Sequence, residues 1–293
     1  MEPTVRIERS LQAAVARADA GGCPPRLAAA MRHAVFPRGA RIRPRLCLAV
    51  AAACGEDDPA VTDAAAAAIE LLHCASLVHD DLPCFDDAAT RRGQPSVHRA
   101  FGQPLAVLTG DALIVLAFQT LAQGAALAPL RLGPLVLTVG MSVGVPFGIV
   151  AGQAWECEEG EVDLALYQRE KTGALFAAAT VAGAVSAGAA GEPWRRLGME
   201  LGEAYQVADD ILDATGDALK LGKPVQQDTA HARPNAVHLL GLSGAVRRLR
   251  ALAQDAADAV PDCPGRASLS GHILTETIRL VPADVEAQVA RYA

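Results

Sequence analysis

An all-α fold is predicted by two observations. The 293 residues are 51% hydrophobic but only 4% aromatic, and the stretches between turns are dominated by Ala, Leu, Val and Glu, the pattern of many helices. The 26 glycines and 18 prolines fall often enough to cut the chain into segments of helix length. Two domains are allowed by the length, but one large helical domain over residues 1–293 fits equally well, and it is the expectation carried forward.

In order, the sequence predicts a charged amphipathic helix over residues 1–20, ended by Gly21-Gly22 and Pro24-Pro25, and a short helix from Leu27 to Val35. The segment FPRGARIRPRL follows, Phe36 to Leu46. Its arginines, Arg38, Arg41, Arg43 and Arg45, surround a glycine and two prolines and are expected in a turn leading into the next helix. Such a turn is either a solvated basic loop or an anion trap, because forked guanidiniums bind phosphate oxygens in pairs. Helices are expected from Leu46 to Cys54 and from Thr62 to Asp80. On the second, His73, Ser76 and Asp80 are spaced i, i+3, i+7 and share a face. His73 reads equally well as a core residue or a site residue.

Beyond Asp80, the sequence DDLPCFDDAATRRG places Asp80, Asp81, Asp86 and Asp87 before the turn Arg91-Arg92-Gly93. A loop and a long apolar helix carrying Gly110-Asp111 come next. Gly152-Gln153 closes a further apolar segment, and Lys171-Thr172-Gly173 interrupts a helical pattern; alone, that pair reads as surface. In EAYQVADDILDATGD, Gln206, Asp209, Asp210 and Asp213 fall at i, i+3, i+4 and i+7, hence on one face. Carboxylates so crowded weaken a helix unless something positive lies opposite. A polar loop with Lys220, Lys223, Asp228 and Arg233 follows, and Ala236 to Ala293 reads as two or three closing helices.

Bulk properties narrow the function. A net charge of -7 and a pI of about 5.5, with no basic block, argue against a nucleic-acid partner. Seven cysteines without a C-x-x-C pair argue against zinc or a disulfide framework and for reduced thiols in the cytoplasm. The N-terminus has no apolar signal-peptide core. The longest apolar runs, Leu132 to Ala154 and Phe176 to Ala190, are broken by proline or rich in small residues, so no transmembrane segment is expected.

Carboxylate clusters without histidine or cysteine select hard cations, Mg²⁺ above all, which one or two carboxylates bind together with substrate phosphate oxygens. The arginines and Lys171 supply further positive charge. There is no P-loop, no GxGxxG and no nucleophile-base pair. What remains is electrostatic stabilisation of a departing diphosphate. Such a departure is productive when an allylic isoprenoid cation is left behind, and helices of small residues can wall a tunnel for its tail.

On these motifs the chain resembles the trans-prenyl diphosphate synthase family, and is similar to the bacterial geranylgeranyl diphosphate synthases of carotenoid and photosynthetic pigment pathways. The resemblance runs from about Arg38 to Pro234 and rests on DD-x4-D with RRG, DDILD, KTG at 171–173, GQ at 152–153 and GKP at 222–224. It implies an isoprenoid-synthase bundle of ten or more mostly antiparallel helices around a deep central cavity, usually a homodimer. It implies Mg²⁺, about three ions with diphosphate bound, on Asp80, Asp81, Asp86, Asp209, Asp210 and Asp213. Arg91 would contact the allylic diphosphate, and Arg92, Arg43 and His73 the isopentenyl diphosphate. Gln153 belongs to the same substrate site, and Lys171, Thr172, Gln206 and Lys223 would steady the allylic diphosphate and its cation.

Two departures stand out. Ala40 occupies the place of the family's isopentenyl-binding lysine, so Arg38 or Arg41 is expected to compensate; Arg233 replaces a lysine further on, keeping charge but not shape. Ala75 and Ser76, just below Asp80, are small where an aromatic would stop growth at farnesyl, which favours geranylgeranyl diphosphate made from dimethylallyl, geranyl or farnesyl primers. The alternatives are a farnesyl diphosphate synthase, a silent partner subunit and a terpene cyclase. Both aspartate clusters are intact, against the silent subunit, and the RRG turn with Arg43 and His73 argues against the cyclase.

Overall fold

The computed structural model describes residues 2–19, 21–36, 39–56, 58–158, 169–215 and 235–281, together with Val285 and Val289. These residues form twelve α-helices and one two-stranded hairpin, the all-α fold the sequence predicts. They group into two compact units, Met1–Gly140 with Ala182–Gly191, and Met141–Val181 with Glu192–Ala293.

The first unit begins with α1 (Pro3–Ala18), α2 (Pro25–Val35), α3 (Ile42–Cys54) and α4 (Pro59–Asp80). Helix α4 starts at Asp58, whose carboxylate accepts from the amides of Ala60 and Val61, with Pro59 pre-set for the first turn. It is buried along most of its 22 residues. Its partner is α6 (Gln103–Gly124), reached through the hairpin β1 (Thr90–Arg91) and β2 (Gln94–Pro95) and the short α5 (Val97–Phe101). Close packing of α4 and α6 depends on small residues: a side chain at Gly110 would strike the imidazole of His79, and one at Gly124 would strike the Ala64 methyl.

Two sequence expectations change here. Helix α3 begins at Ile42 rather than Leu46, so Arg43 and Arg45 sit in its first turn. Pro44 is tolerated there because the first amides of a helix have no partner within it. The second change concerns α4 and α6, which are both long and apolar enough by composition to cross a membrane; α4 has 78% of its apolar window buried in the protein, α6 44%.

Helix α7 (Pro129–Val143) leads to the second unit, which contains α8 (Ile149–Trp155), a π-turn at Arg169–Gly173, α9 (Ala174–Ser186) as far as Val181, a 3₁₀ turn at Glu192–Trp194, α10 (Arg195–Thr215), α11 (Ala236–Asp258) and α12 (Arg266–Ile278). The interruption expected at Lys171–Gly173 is the π-turn. Helix α10 crosses it at backbone contact: a Cβ on Gly202 would lie 2.7 Å from Gly173 Cα, and one on Gly198 would overlap the backbone of Ala177. The other face of α10, with Ala204, Val207, Ala208 and Ile211, packs against Ala245, Val246, Leu249 and Leu252 of α11, each large aliphatic side chain contributing about 1.5–3 kcal/mol.

Candidate active site

In the first unit the chain turns back on itself directly after α4. The amide of Asp86 donates to the carbonyl of Asp80 at 3.0 Å, that of Phe85 to Leu82 at 2.9 Å and that of Asp87 to Leu82 at 3.1 Å. Leu82 is buried among Ala30, Val78, Val97 and Ala106, which pins the turn. Asp80 and Asp86 are thereby brought to the same end of α4 and are both partly exposed. Asp81 is 2% exposed, and its Oδ1 accepts from Arg91 Nε at 2.9 Å and Nη2 at 2.5 Å. Burial raises the Asp81 pKa and outweighs the opposing pull of Arg91.

Arg91 reaches Asp81 from a tight hairpin. Thr90 pairs with Pro95 and Arg91 with Gln94, leaving Arg92-Gly93 as a two-residue loop with φ of 53° and 75°, the left-handed pair that matches strand twist. Arg92 is one of three non-glycine residues with positive φ among the described residues, with Arg41 at 50° and Asp87 at 45°. Strain of this kind costs about 1–3 kcal/mol per residue and persists only where the surroundings enforce it.

The enforcing group is Glu70. Its Oε1 accepts from Arg41 Nη1 at 2.5 Å and from Arg92 Nη2 at 3.4 Å, and Cys74, a buried thiol raised by burial and by Glu70 to about 11, donates to it at 3.9 Å. Arg43 lies beyond, its Nη1 3.5 Å from His73 Nε2. Burial and then the charges of Arg43, Arg92, Arg91 and Arg41 push the His73 pKa well below 6.5, so the ring is neutral at pH 7.

Helix α4 therefore has two working faces. Glu70, Cys74 and Asp81 turn toward the arginine hairpin, where a recess is lined by Cys74, Leu77, Val78, Asp81, Arg91 and Arg92, among others. His73, Ser76 and Asp80 follow the i, i+3, i+7 row. Neither Ala75, 1% exposed, nor Ser76, whose hydroxyl donates to the His73 carbonyl at 2.9 Å, lines that recess.

In the second unit two hydrogen-bonded groups hold Gln153, Lys171, Thr172, Gln206 and Asp210. Lys171 Nζ pairs with Glu156 at 2.6 Å, and Gln153 Nε2 donates to the same carboxylate at 3.1 Å. Thr172 Oγ1 donates to Gln206 Oε1 at 3.2 Å, and Gln206 Nε2 donates to Asp210 Oδ1 at 3.0 Å. Asp210 Oδ2 accepts the amide of Ala236 at 2.7 Å, at the first turn of α11. Asp209 and Asp213 are partly exposed, whereas Asp210 is 2% exposed.

Several of the expected site residues have partners that spacing alone does not reveal. Arg41 is 4% exposed, and its guanidinium is spent on Glu8 at 2.9 Å, Glu70 and the Val35 carbonyl at 2.7 Å. Burial works against its charge, yet these carboxylates raise its pKa, so the guanidinium stays charged within this buried network. On α10, Gln206 and Asp210 are hydrogen-bonded to each other across one turn, and Asp210 also meets the first turn of α11. Asp81 and Asp210 are each 2% exposed, whereas Asp80, Asp86, Asp209 and Asp213 are partly exposed. Arg38, Lys223 and Arg233 lie outside the described residues. Glu70 and Glu156 were not predicted; a lone acid inside AAAAAIELLHCASL was the available signal for the first.

No three acidic, imidazole or thiol side chains converge into a metal cage among the described residues. The donor chemistry still fits Mg²⁺, which takes few carboxylates and completes its shell with water and phosphate oxygens.

A family model described as polyprenyl synthetase matches residues 24–263. Over 284 residues the chain is 54% identical to a protein of Cereibacter sphaeroides named geranylgeranyl diphosphate synthase, covering 97% of this chain and 98% of that one. A Rhodobacter capsulatus protein of the same name is 51% identical over 283 residues, covering 96% and 98%. Among solved structures, the geranyltransferase of Helicobacter pylori complexed with magnesium and isoprenyl diphosphate superposes with a TM-score of 0.79 at 28% identity, covering 94% of this chain and 97% of that one.

Proposed function

Because the chain belongs to the polyprenyl synthetase family, we infer that it is a prenyltransferase that condenses isopentenyl diphosphate with allylic diphosphates to give geranylgeranyl diphosphate. The observation that carries the reading is the pairing of partly exposed acids with a strained, buttressed arginine hairpin: Asp80 and Asp86 beside Arg91 and Arg92. A C20 product agrees with the small residues at Ala75 and Ser76.

We assign Mg²⁺, about three ions, to Asp80, Asp86, Asp209 and Asp213; bound there, it would neutralise the charge that gathers on the leaving diphosphate. Arg91 and Lys171 hold the allylic diphosphate, with Lys171 exchanging Glu156 for phosphate oxygens. Arg43, Arg92 and neutral His73 hold isopentenyl diphosphate. The allylic C–O bond breaks and its electron pair leaves with diphosphate. The double bond of isopentenyl diphosphate attacks the cation, and the new cation loses a proton to the released diphosphate. Thr172 and Gln206 present oxygen dipoles to the positive carbon, and binding in register excludes water. In this reading residues 1–293 act as one catalytic domain.

A homodimer is also proposed; the exposed apolar row Val107, Leu108 and Val115 on α6, 43–56% exposed, supports it. The seven free thiols support a cytoplasmic location, and α4 and α6 are read as core helices rather than membrane spans.

The test is incubation of the pure protein with Mg²⁺, isopentenyl diphosphate and each allylic primer, with the product sized by chromatography. A C20 diphosphate is expected. A C15 product overturns the chain-length assignment, and no product overturns the activity.

A further inference from the structure

We infer that Glu70 is the positioning residue of the isopentenyl diphosphate site, holding the hairpin arginine Arg92 and the start of α3, with Arg43, at one fixed spacing. The inference rests on the prenyltransferase reading and adds a residue to it. Glu70 is 1% exposed, in the middle of α4. A single oxygen binds Arg41 at 2.5 Å and Arg92 at 3.4 Å. These are the two arginines forced into left-handed backbone, at φ of 50° and 53°. Two separate loops with unfavourable backbone thus converge on one carboxylate, the over-determination that such strain requires.

Each loop carries substrate-facing charge. Arg41 immediately precedes α3, so fixing its guanidinium fixes the first turn, and Arg43 with it, against His73 at 3.5 Å. Arg92 is further confined by its own neighbours: Gly39 packs on the guanidinium so closely that a Cβ there would lie 2.9 Å from Cζ, and Cys74 Sγ accepts from Nη1 at 3.8 Å. Without a negative charge between them, Arg41 and Arg92 repel, and the carboxylate that ties the Arg41 loop to the hairpin arginine is lost. With Ala40 offering no charge of its own, binding in this pocket depends on where the remaining guanidiniums stand. Glu70 touches no substrate; it acts through the arginines.

The experiment is steady-state kinetics of wild type, Glu70→Gln, Arg92→Lys and the variant carrying both substitutions, with geranyl diphosphate and isopentenyl diphosphate varied separately. Glu70→Gln is expected to raise KM for isopentenyl diphosphate by about 10-fold or more, the scale on which supporting residues act, while KM for geranyl diphosphate stays within about 2-fold. The double variant is expected to fall short of the product of the single effects, because both act on one guanidinium. An unchanged KM for isopentenyl diphosphate, equal rises in both KM values, or multiplicative single effects overturns the inference. A wild type that makes no product overturns the underlying reading instead. If Glu70→Gln does not fold, Glu70→Asp decides: it keeps the charge but withdraws it by one methylene. A raised KM for isopentenyl diphosphate supports positioning; a wild-type KM, or failure of this variant to fold as well, overturns it in favour of a purely structural carboxylate.

Discussion

Asp81 and Asp210 hold the same place in their motifs, each the second member of an aspartate pair and each 2% exposed. In the first unit the buried carboxylate is anchored by charge, with two donors of the Arg91 fork on one oxygen. In the second the Gln206 amide donates to one carboxylate oxygen and the Ala236 backbone amide to the other. The contrast shows how one pattern of letters serves two local tasks. Asp81 fastens a strained hairpin, and Asp210 fastens the beginning of a helix. In both units the first aspartate is left partly open, and it is the one assigned to the cation.

That division predicts a ranking of effects. The largest belongs to the open members. Asp80→Ala and Asp209→Ala are each expected to lower kcat by about 10²–10³-fold while leaving the unfolding free energy within about 1 kcal/mol, measured by turnover and urea titration on the same preparations. Stability losses as large as those of Asp81 variants would erase the distinction between open and buried aspartates. Next comes Asp81→Asn, which leaves a largely buried guanidinium without its counter-charge; Arg91 is 26% exposed and Asp81 3% by side chain. The expected cost is about 2–3 kcal/mol, somewhat below the ~3–5 kcal/mol of a fully buried pair because Arg91 reaches solvent. Asp210→Asn is expected to cost less, about 1–2 kcal/mol, because the amide oxygen that replaces the carboxylate can still accept from Gln206 or from the Ala236 backbone. The reverse order in urea midpoints would overturn the greater weight given to the Arg91–Asp81 pair.

The smallest effect concerns pH. His73 sits among arginines in the first unit and resists protonation when folded. As pH falls through 6.5, the unfolded chain takes up the proton that the native ring does not, so this residue makes stability decline toward acid, by at most about 1.4 kcal/mol per pH unit. His73→Gln should flatten the stability curve between about pH 6.5 and 5. Parallel curves for the variant and wild type would show that the arginines do not act on this ring.

The parts of the site that follow from helical periodicity were legible in the sequence. The row His73, Ser76, Asp80 and the pairing of Gln206 with Asp210 both come from spacing alone. Spacing gives a residue its face but not what that face meets, so the burial of Asp81 and Asp210 could not be read. The fate of Arg41 was hidden for another reason: its left-handed φ and its partners Glu8 and Glu70 depend on contacts across 33 and 29 residues. Pro44 misled in the opposite direction, since a proline that breaks helices in the interior opens one in the first turn. Membrane-like length in α4 was masked by Glu70 and His73, which read as interruptions of an apolar run but are buried or half-buried within it.

Gly198 and Gly202 bring α10 onto the backbone around the π-turn, one helical turn short of Gln206. Their consequence is best stated as mutational tolerance. In a saturation library of this chain, both positions are expected to accept almost nothing, since even alanine adds a methyl where only backbone can give way. Neither residue carries a charge or a donor side chain. A map of intolerance would therefore extend well beyond the chemical groups, tracing a stripe of missing atoms that sets how far Thr172 stands from Gln206.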